Sequence, residues 1–236
     1  AAKAEGDMFM VGSILSNLAL VQDQSGDPRK ARATATVSID VLDVYEDTPE
    51  LIQAIRNSGS IELALGDLEN SLILYERALA IAEKLEDNGL CVQTLIDLSL
   101  IYKDTGRYSE AKVGLEKALA QLNTDDGLAK SHALAGLGLV HQHLELIPLS
   151  RQNFLEALSL YQTAHSWENE AIVLHNLGQL EDNQANAFAA LGDYFQSLEI
   201  NLAHSCFLGI AEDLSALTAL VCHIHATIDR LTADSS

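Results

Sequence analysis

The amino-acid sequence repeats itself with a period of about 40 residues, and this repeat limits the possible folds more than any other feature. Five turn motifs, each followed by a helical pattern, set the alignment at residues 25–35, 65–79, 105–119, 144–158 and 191–203. Self-similarity at one fixed period of this length is typical of a solenoid. Because one unit cannot bury its apolar face alone, the pattern predicts that neighbouring units stack.

Each unit is predicted to contain two helices joined by a turn. The glycines expected to end a first helix, where a left-handed backbone favours glycine, are Gly66, Gly106 and Gly192. In one second helix, Ser71, Tyr75 and Ala78 follow offsets of four and three, which keep them on one face. The small residues that recur in first helices are Ala19, Gly59, Ser99 and Gly138. Alternating small and large residues predict a close approach of the two helices.

The composition of the 236 residues favours helices over strands. Only three residues are proline, which stops helices, and 5% are aromatic, a class that strands favour. We therefore predict an all-α chain and a single domain over residues 1–236. The predicted units cover about 5–46, 48–87, 89–122, 126–164 and 167–206, with a closing helix over about 209–231.

The fifth unit is predicted to be longer than the others. From Gly178 to the motif at Gly192 it has seven residues more than its neighbours. Seven residues are about two helical turns, so the apolar face keeps its phase. We therefore predict a first helix over 167–191 that projects beyond the edge of the stack and adds to the binding surface.

The repeat resembles the tetratricopeptide repeat family in the segments NLGQLE (176–181), IYKDTGRYSEAKVGLEKAL (101–119) and GDLENSLILYERALAIAEKL (66–85). The longer period and the ending ERALAIAEKLEDN (76–88) resemble the variant found in kinesin light chains and bacterial MalT-like regulators. This resemblance extends over residues 12–231. It implies a right-handed α-solenoid of about five antiparallel helix pairs plus a C-terminal capping helix.

The resemblance also implies a concave groove lined by the first helix of each unit. The candidate partner-binding residues on these helices are Asn17, Gln53, Arg56, Asn57, Gln93, Asp97, Lys103, His132, Gln142, His175, Asn176, Gln179 and Asn183. Asn17, Asn57 and Asn176 recur at matching places, and an amide that both donates and accepts suits an extended peptide backbone. The alternative is that such amides cap turns or bond within their own helix pair.

One known partner class of the family is not expected. The two-carboxylate clamp for chaperone C-terminal tails needs several Lys, Arg and Asn residues in adjacent units. Here the matching places offer Arg56, Asn57 and Lys103, while Asp97 and Gly136 stand where further support is needed. A chaperone tail is therefore not predicted as the partner.

The net charge of −20, from 34 acidic and 14 basic residues, bears on other partners. This field repels nucleic-acid phosphates and anionic lipid surfaces, so we expect neither a nucleic-acid nor a membrane partner. Two interpretations of the charge stay open. The carboxylates simply solvate a large helical surface, or they attract basic partners.

The cysteines and the N-terminal residues indicate the cellular compartment of the protein. Cys91, Cys206 and Cys222 are odd in number and have no CxxC spacing, which suits a reducing environment. The first residues lack the pattern of a signal peptide, and no apolar stretch is expected to reach the length of a membrane span. We predict a cytoplasmic protein.

A search for catalytic and metal-binding patterns returns little. The closest groupings are His141-x-His143 and Cys222-His223-x-His225. Residues two apart on a helix point to different sides, and further ligands would have to converge from elsewhere. Neither a phosphate-binding loop nor an HExxH or GxSxG motif occurs. We predict no metal, no cofactor and no enzymatic activity.

The leading functional hypothesis is a protein–protein interaction module, an adaptor or scaffold that binds a peptide or helix of a partner in its groove. The alternative is a ligand- or peptide-sensing arm of a larger MalT-like signalling or transcription regulator. A third possibility is self-association through the C-terminal helix. Its predicted unpaired apolar face consists of Leu214, Leu217, Leu220, Val221 and Ile224.

Overall fold

The computed structural model describes residues 2–123 and 126–233, with side chains described over 7–123 and 126–226. These residues form eleven α-helices and a short 3-10 helix (Asp43–Tyr45), without a strand. The α-helices are α1 (Ala2–Gln24), α2 (Pro28–Leu42), α3 (Pro49–Ala64), α4 (Leu68–Lys84), α5 (Asn88–Asp104), α6 (Tyr108–Gln121), α7 (Gly127–His143), α8 (Ile147–Thr163), α9 (Trp167–Asn183), α10 (Ala187–Ala203) and α11 (Phe207–Ala233). The all-α prediction is confirmed.

The helices pack in sequential pairs: α1 with α2, α3 with α4, α5 with α6, α7 with α8, and α9 with α10. The remaining helix, α11, packs against α10 and α9. The chain divides into two compact units, which we call unit 1 (Ala1–Asn123) and unit 2 (Thr124–Ser236). Five helix pairs plus a closing helix agree with the predicted repeat, while the right-handed sense and the single domain stay predictions.

Left-handed backbone positions recur every twenty residues within each unit. In unit 1 they are Gly26, Glu46, Gly66, Glu86 and Gly106. In unit 2 they are Glu145, His165, Ala185 and Ser205. Two backbone hydrogen bonds close such a turn; at Gly66 they join Gly66 N to Leu63 O and Asp67 N to Glu62 O, each at 2.9 Å. This is the Schellman pattern, which supplies partners to the last carbonyl groups of a helix.

The predicted extension of the fifth unit is wrong. Both α9 and α10 have 17 residues, and α9 ends at Asn183. Ala185, with a φ of 59°, takes the turn that the sequence pattern assigned to Gly192, which instead lies inside α10. Backbone groups that every residue carries close this turn too, since Ala185 N donates to Asp182 O at 2.8 Å and Asn186 N to Glu181 O at 2.9 Å. The projecting surface predicted for 167–191 is therefore absent.

The predicted small-to-large packing is confirmed within the helix pairs. A Cβ added to Gly59 would lie 2.6 Å from Tyr75, and one added to Gly138 would lie 2.5 Å from Phe154. Such distances are shorter than van der Waals contact, so only glycine lets the aromatic ring reach the facing backbone. Gly178 stands in the same relation to Tyr194, again sixteen residues later. Tyr194 is 3% exposed and lies in the core, where the misplaced turn had put the start of a helix.

The closing helix α11 corrects two expectations. Leu217 and Leu220 are buried in a cluster with Tyr194 and Leu198 of α10, so that part of its predicted unpaired face is covered. The residues of that predicted set that stay exposed are Leu214 and Val221.

The second correction concerns membrane-spanning length. Phe207–Ala226 of α11 is long and apolar enough to cross a membrane by length and composition alone. The sequence-based expectation that no stretch reaches that length was therefore wrong on this criterion. Glu212 and Asp213 lie within the stretch, and a charged residue inside a lipid bilayer is costly.

Candidate functional site

A row of predicted residues crosses from α3 to α5 in unit 1 through Arg56. Its Nε and NH2 atoms donate to Asp97 Oδ2 at 3.2 and 2.7 Å. Its NH1 atom donates to Gln93 Oε1 at 3.0 Å and to Gln53 Oε1 at 3.3 Å. We call Gln53, Arg56, Gln93 and Asp97 the Arg56 row. The structure thus brings together on one face four residues that the repeat pattern predicted there.

Asn57 lies directly behind the Arg56 row and is buried, with 6% exposure. Its Nδ2 donates to Ser16 Oγ of α1 at 2.8 Å, and its Oδ1 accepts from Gln53 Nε2 at 2.8 Å. The amide therefore links α3 to α1, and it extends the hydrogen-bond network of the row to the buried Ser16. This resembles the internal role considered for the asparagines, except that the bond to Ser16 reaches a neighbouring helix pair. Asn17, its counterpart in α1, is exposed.

The electrostatics of the row follow from partial burial. The side chain of Arg56 is 13% exposed and that of Asp97 is 33% exposed, so their ion pair is shielded from solvent on one side. The pair cancels its own charge, and the exposed amides of Gln53 and Gln93 flank it. Beneath it, burial raises the pKa of the Tyr75 hydroxyl, and the negative charge of Asp97 raises this pKa further. The surface of the row is therefore polar and close to neutral.

The remaining predicted residues are more dispersed. Lys103 pairs with its neighbour Asp104 at 2.8 Å near the end of α5. In unit 2, His132 lies against the ring of Tyr161 with centroids 5.6 Å apart. Gln142 and Asn176 are half-buried, whereas Gln179 and Asn183 are exposed. The partner-binding roles of all these residues stay predictions.

His175 belongs to a buried cluster that the sequence reasoning missed. Its Nδ1 lies 2.7 Å from Oδ1 of Asp213, a residue that is 1% exposed. Ser197 Oγ and Asn201 Nδ2 both donate to Asp213 Oδ2 at 2.9 Å. We call these four residues the Asp213 cluster. It joins α9, α10 and α11, and both carboxylate oxygens have partners, as a buried charge requires.

The sequence pattern missed this cluster because it placed the turn of the fifth unit at Gly192. With the turn at Ala185, Ser197 falls at the repeat position held by Ala78, Ala118 and Ala157, and by Ser38 in α2. Ser38 Oγ donates to Gly12 O at 2.7 Å, as Ser197 Oγ does to Ala171 O at 3.0 Å. Asp213 falls at the position of Ala54 and Ala133. Polar residues at positions that are alanine in other units would have indicated a polar interface. The carboxylate of Asp213 therefore takes the place of apolar packing at a position that is alanine in α3 and α7.

A cavity of about 290 Å³ lies above the Asp213 cluster, between α9, α10 and α11. Trp167, Ile172 and Leu208 contribute apolar walls, and Glu168 and Glu212 also line it. The Trp167 ring stacks on His204 with a centroid distance of 4.1 Å and an interplanar angle of 3°. A second, more open cleft adjoins Trp167 and includes Glu170 and Glu199. The one tryptophan of the chain thus stands among carboxylates.

A second charged group in unit 2 consists of Arg151, Glu181 and Asp193, and it makes the stability of this unit depend on pH. Arg151 NH2 of α8 pairs with Glu181 Oε1 of α9 at 2.5 Å, and the Glu181 side chain is 8% exposed. Burial, together with the nearby charge of Glu181, raises the pKa of Asp193 to about 6, against an opposing effect of Arg151. Unit 1 has the corresponding pair between Arg32 and Glu62.

The described side chains include no group of three or more His, Cys, Asp or Glu residues placed to hold a metal ion. The three cysteines are unpaired thiols; Cys91 is buried and Cys222 is exposed. The site is therefore one of hydrogen bonds, carboxylates and aromatic surface.

Comparison with known proteins identifies the repeat. Residues 50–124 match the tetratricopeptide repeat family. These residues include α3 from its second residue, α4 to α6 and the whole Arg56 row. No curated protein sequence matches the chain.

Solved structures share the fold at low sequence identity. BtubC (BKLC) from P. vanneervenii is 21% identical with a TM-score of 0.64, covering 86% of this chain and 92% of its own. The putative kinesin light chain repeats of Podosopora anserina are 15% identical with a TM-score of 0.65, covering 81% and 94%. A Rap protein complexed with competence and sporulation factor is 16% identical with a TM-score of 0.71, covering 93% and 65%. At such identities the likeness shows the fold alone.

Proposed function

Because this chain is a tetratricopeptide repeat protein, a fold that generally serves protein interaction, we propose that it is an adaptor or scaffold. In this proposal it holds a peptide or helix of a partner protein against the first helices of its repeats. The repeat family is typically non-enzymatic, and binding is the activity that we assign to the chain. The observation that carries the proposal is the Arg56 row.

The row suits a peptide because it is organised before the peptide arrives. Arg56 is fixed by four hydrogen bonds to Gln53, Gln93 and Asp97, so little side-chain freedom remains to be lost on binding. The exposed amide of Gln93 can donate to a peptide carbonyl and accept from a peptide N–H. Such contacts recognise an extended backbone and depend little on its sequence.

Charge and cysteine chemistry support the rest of the proposal. The net charge of −20 disfavours nucleic-acid and anionic membrane partners. Three unpaired cysteines suit a cytoplasmic location. Self-association through α11 would use the face that includes Leu214 and Val221, since Leu217 and Leu220 are already buried.

Site-specific photo-crosslinking in the source cell tests the proposal. A photoreactive amino acid at Gln93 should crosslink one defined partner, because this side chain is an exposed member of the row. The matched control is Val113, which is 64% exposed on α6, a second helix. Crosslinks from Gln93 with none from Val113 support the adaptor. Equal crosslinks from both positions, or crosslinks from Val113 alone, place the partner elsewhere and reject the proposed surface.

The sensing arm has one observation in its favour. The Rap protein that shares this fold is complexed with competence and sporulation factor. A reading frame that continues into a nucleotide-binding domain would favour this alternative. Without such a domain, the adaptor remains the better account.

A further inference from the structure

The cavity of unit 2 combines apolar walls with free negative charge. Ile172, Leu208 and the ring of Trp167 line it together with the carboxylates of Glu168 and Glu212. Ile172, Leu208 and both glutamates are exposed and form the open rim of the cavity. We propose that this cavity binds an alkyl chain that ends in a guanidinium or ammonium group, as carried by an arginine or lysine side chain of a partner. The cavity would then recognise one basic residue in the bound segment of the partner.

The carboxylates of Glu168 and Glu212 determine the sign of the charge that a ligand must carry. Among the described residues, neither Glu168 nor Glu212 forms an ion pair or a hydrogen bond. Lysine and arginine do not occur in the lining; its titratable groups are Glu168, Glu212, Asp213, His175 and Cys206. Asp213 is already occupied by His175, Ser197 and Asn201. The charge available to a ligand is therefore that of the two glutamates, and it attracts a cation.

Trp167 adds a second feature that favours a cation over a neutral group. Its indole is the aromatic ring that attracts cations most strongly, and arginine is the side chain most often found over it. Stacking on His204 at 4.1 Å holds the ring in place at the first turn of α9. The apolar lining from Ile172 and Leu208 matches the aliphatic stem that lysine and arginine carry below their charged ends.

The size of the cavity limits the ligand. Pockets for whole small molecules usually measure about 300–1,000 Å³, and this one measures about 290 Å³. It therefore accommodates one long side chain or a small alkyl amine rather than a nucleotide or a larger cofactor.

The assignment to a partner side chain rests on the proposed adaptor function, whereas the preference for an alkyl cation does not. His175, a predicted groove residue, lines the same cavity, so a segment that follows the first helices of unit 2 would reach it. A free alkyl amine or guanidine offers the same chemistry. The probes below separate the two sources.

Fluorescence titration of the intact chain tests the inference, because Trp167 is its one tryptophan. The probes are arginine blocked at both ends, citrulline blocked in the same way, and agmatine, the free alkyl guanidine. Citrulline has the shape of arginine without its charge. We expect a saturable change with blocked arginine and none with blocked citrulline at pH 7.5. Agmatine binding in the absence of blocked arginine binding would overturn the partner side chain as the source.

Two variants locate the effect. Glu168→Gln combined with Glu212→Gln should weaken arginine binding by about fivefold or more, because it removes the two unpaired charges. Glu50→Gln combined with Glu69→Gln makes the same change in charge on exposed positions of unit 1 and should leave binding unchanged. Equal binding of arginine and citrulline, or an unchanged affinity in the first variant, would overturn the inference. The crosslinks from Gln93 are independent of it, so failure of the adaptor proposal is recognised separately.

Discussion

The two units use polar side chains at different depths. In unit 1 the Arg56 row lies on the face of α3 and α5, and its carboxylate Asp97 is 33% exposed. In unit 2 the Asp213 cluster lies inside the contact between α9, α10 and α11, and its carboxylate is 1% exposed. The same scaffold of paired helices therefore supports a surface row in unit 1 and a buried cluster under a cavity in unit 2. The difference depends on a few side chains and does not require a change in the backbone.

Removal of the carboxylate should affect the two networks differently. Asp213→Ala should lower the free energy of unfolding by about 2 kcal/mol, because the buried amide of Asn201 and the ring of His175 would lose their carboxylate partner, while Ser197 can still donate to Ala171 O. Asp97→Ala should cost about 1 kcal/mol, since Asp97 is 33% exposed and Arg56 keeps its hydrogen bonds to Gln53 and Gln93. Urea denaturation followed by circular dichroism measures both. Equal losses would show that depth does not separate the two networks.

Restoring the apolar pattern of the other pairs serves as the control for Asp213→Ala. Ser197→Ala, Asn201→Leu and Asp213→Ala together place at these positions the residue types found at Ala78, Leu42 and Ala54. Most of the stability lost in Asp213→Ala should return, because no buried donor of Ser197 or Asn201 is then left unpaired. A triple variant less stable than the single one would mean that the cost of Asp213→Ala comes from lost packing.

The surroundings of the two Arg–Glu pairs should respond differently to pH. The position of Asp193 beside Glu181 corresponds to Leu74 in unit 1. Since the pKa of Asp193 is raised to about 6, the folded state holds more protons than the unfolded state between about pH 4 and 6. The contribution of Asp193 to the free energy of unfolding therefore falls as the pH rises through that window. Above the window, the full cost of ionising this carboxyl group in the folded state is present.

Asp193→Asn should accordingly raise the free energy of unfolding by about 1 kcal/mol at pH 7.5, a value reduced for partial solvent exposure. The gain should shrink through pH 4 and disappear near pH 3, where the wild-type carboxyl group is protonated in both states. Denaturation at both pH values, with Asp40→Asn on the exposed face of α2 as control, makes the measurement. A gain that grows toward acid pH would contradict the sign of the shift.

The smallest expected effect concerns the turn of the fifth unit. Gly192 lies inside α10, and nothing would meet an added Cβ within 4 Å. Gly192→Ala should therefore stabilise the protein by about 0.5–1 kcal/mol, because alanine is the better helix former. Gly66→Ala, at a real left-handed turn with a φ of 78°, should destabilise it. Thermal denaturation compares the two; a loss in Gly192→Ala would restore the turn predicted at that residue.

The repeat pattern predicted most of the fold because its signals are local. The sixteen-residue relation between Gly59 and Tyr75, and between Gly138 and Phe154, follows from helices of fixed length joined by short turns. The shared face of Arg56 and Asp97 follows from the same period. The turn at Ala185 was not predictable from glycine positions, since its hydrogen bonds come from backbone groups and from the side chains of Asn186 and Glu181, and none of them requires a glycine.

The candidate site was harder to predict because its contacts join distant residues. His175 and Asp213 are 38 positions apart, and Asn201 and Asp213 belong to different helices. Helical periodicity gives the face on which a residue lies, but it does not give the partner that a side chain selects there. For the same reason the pattern placed Asn57 correctly on α3 while leaving its bond to Ser16 unforeseen.

The left-handed residues spaced every twenty positions also determine which length changes the chain can tolerate. One residue inserted into a helix rotates every later side chain of that helix by about 100°, because the helix has 3.6 residues per turn. Gly59 would then no longer face Tyr75. A block of forty residues, which contains two such turns, leaves every facing pair intact. A gene for this protein can therefore grow or shrink by whole duplicated blocks, whereas single-codon insertions within the helices disrupt it.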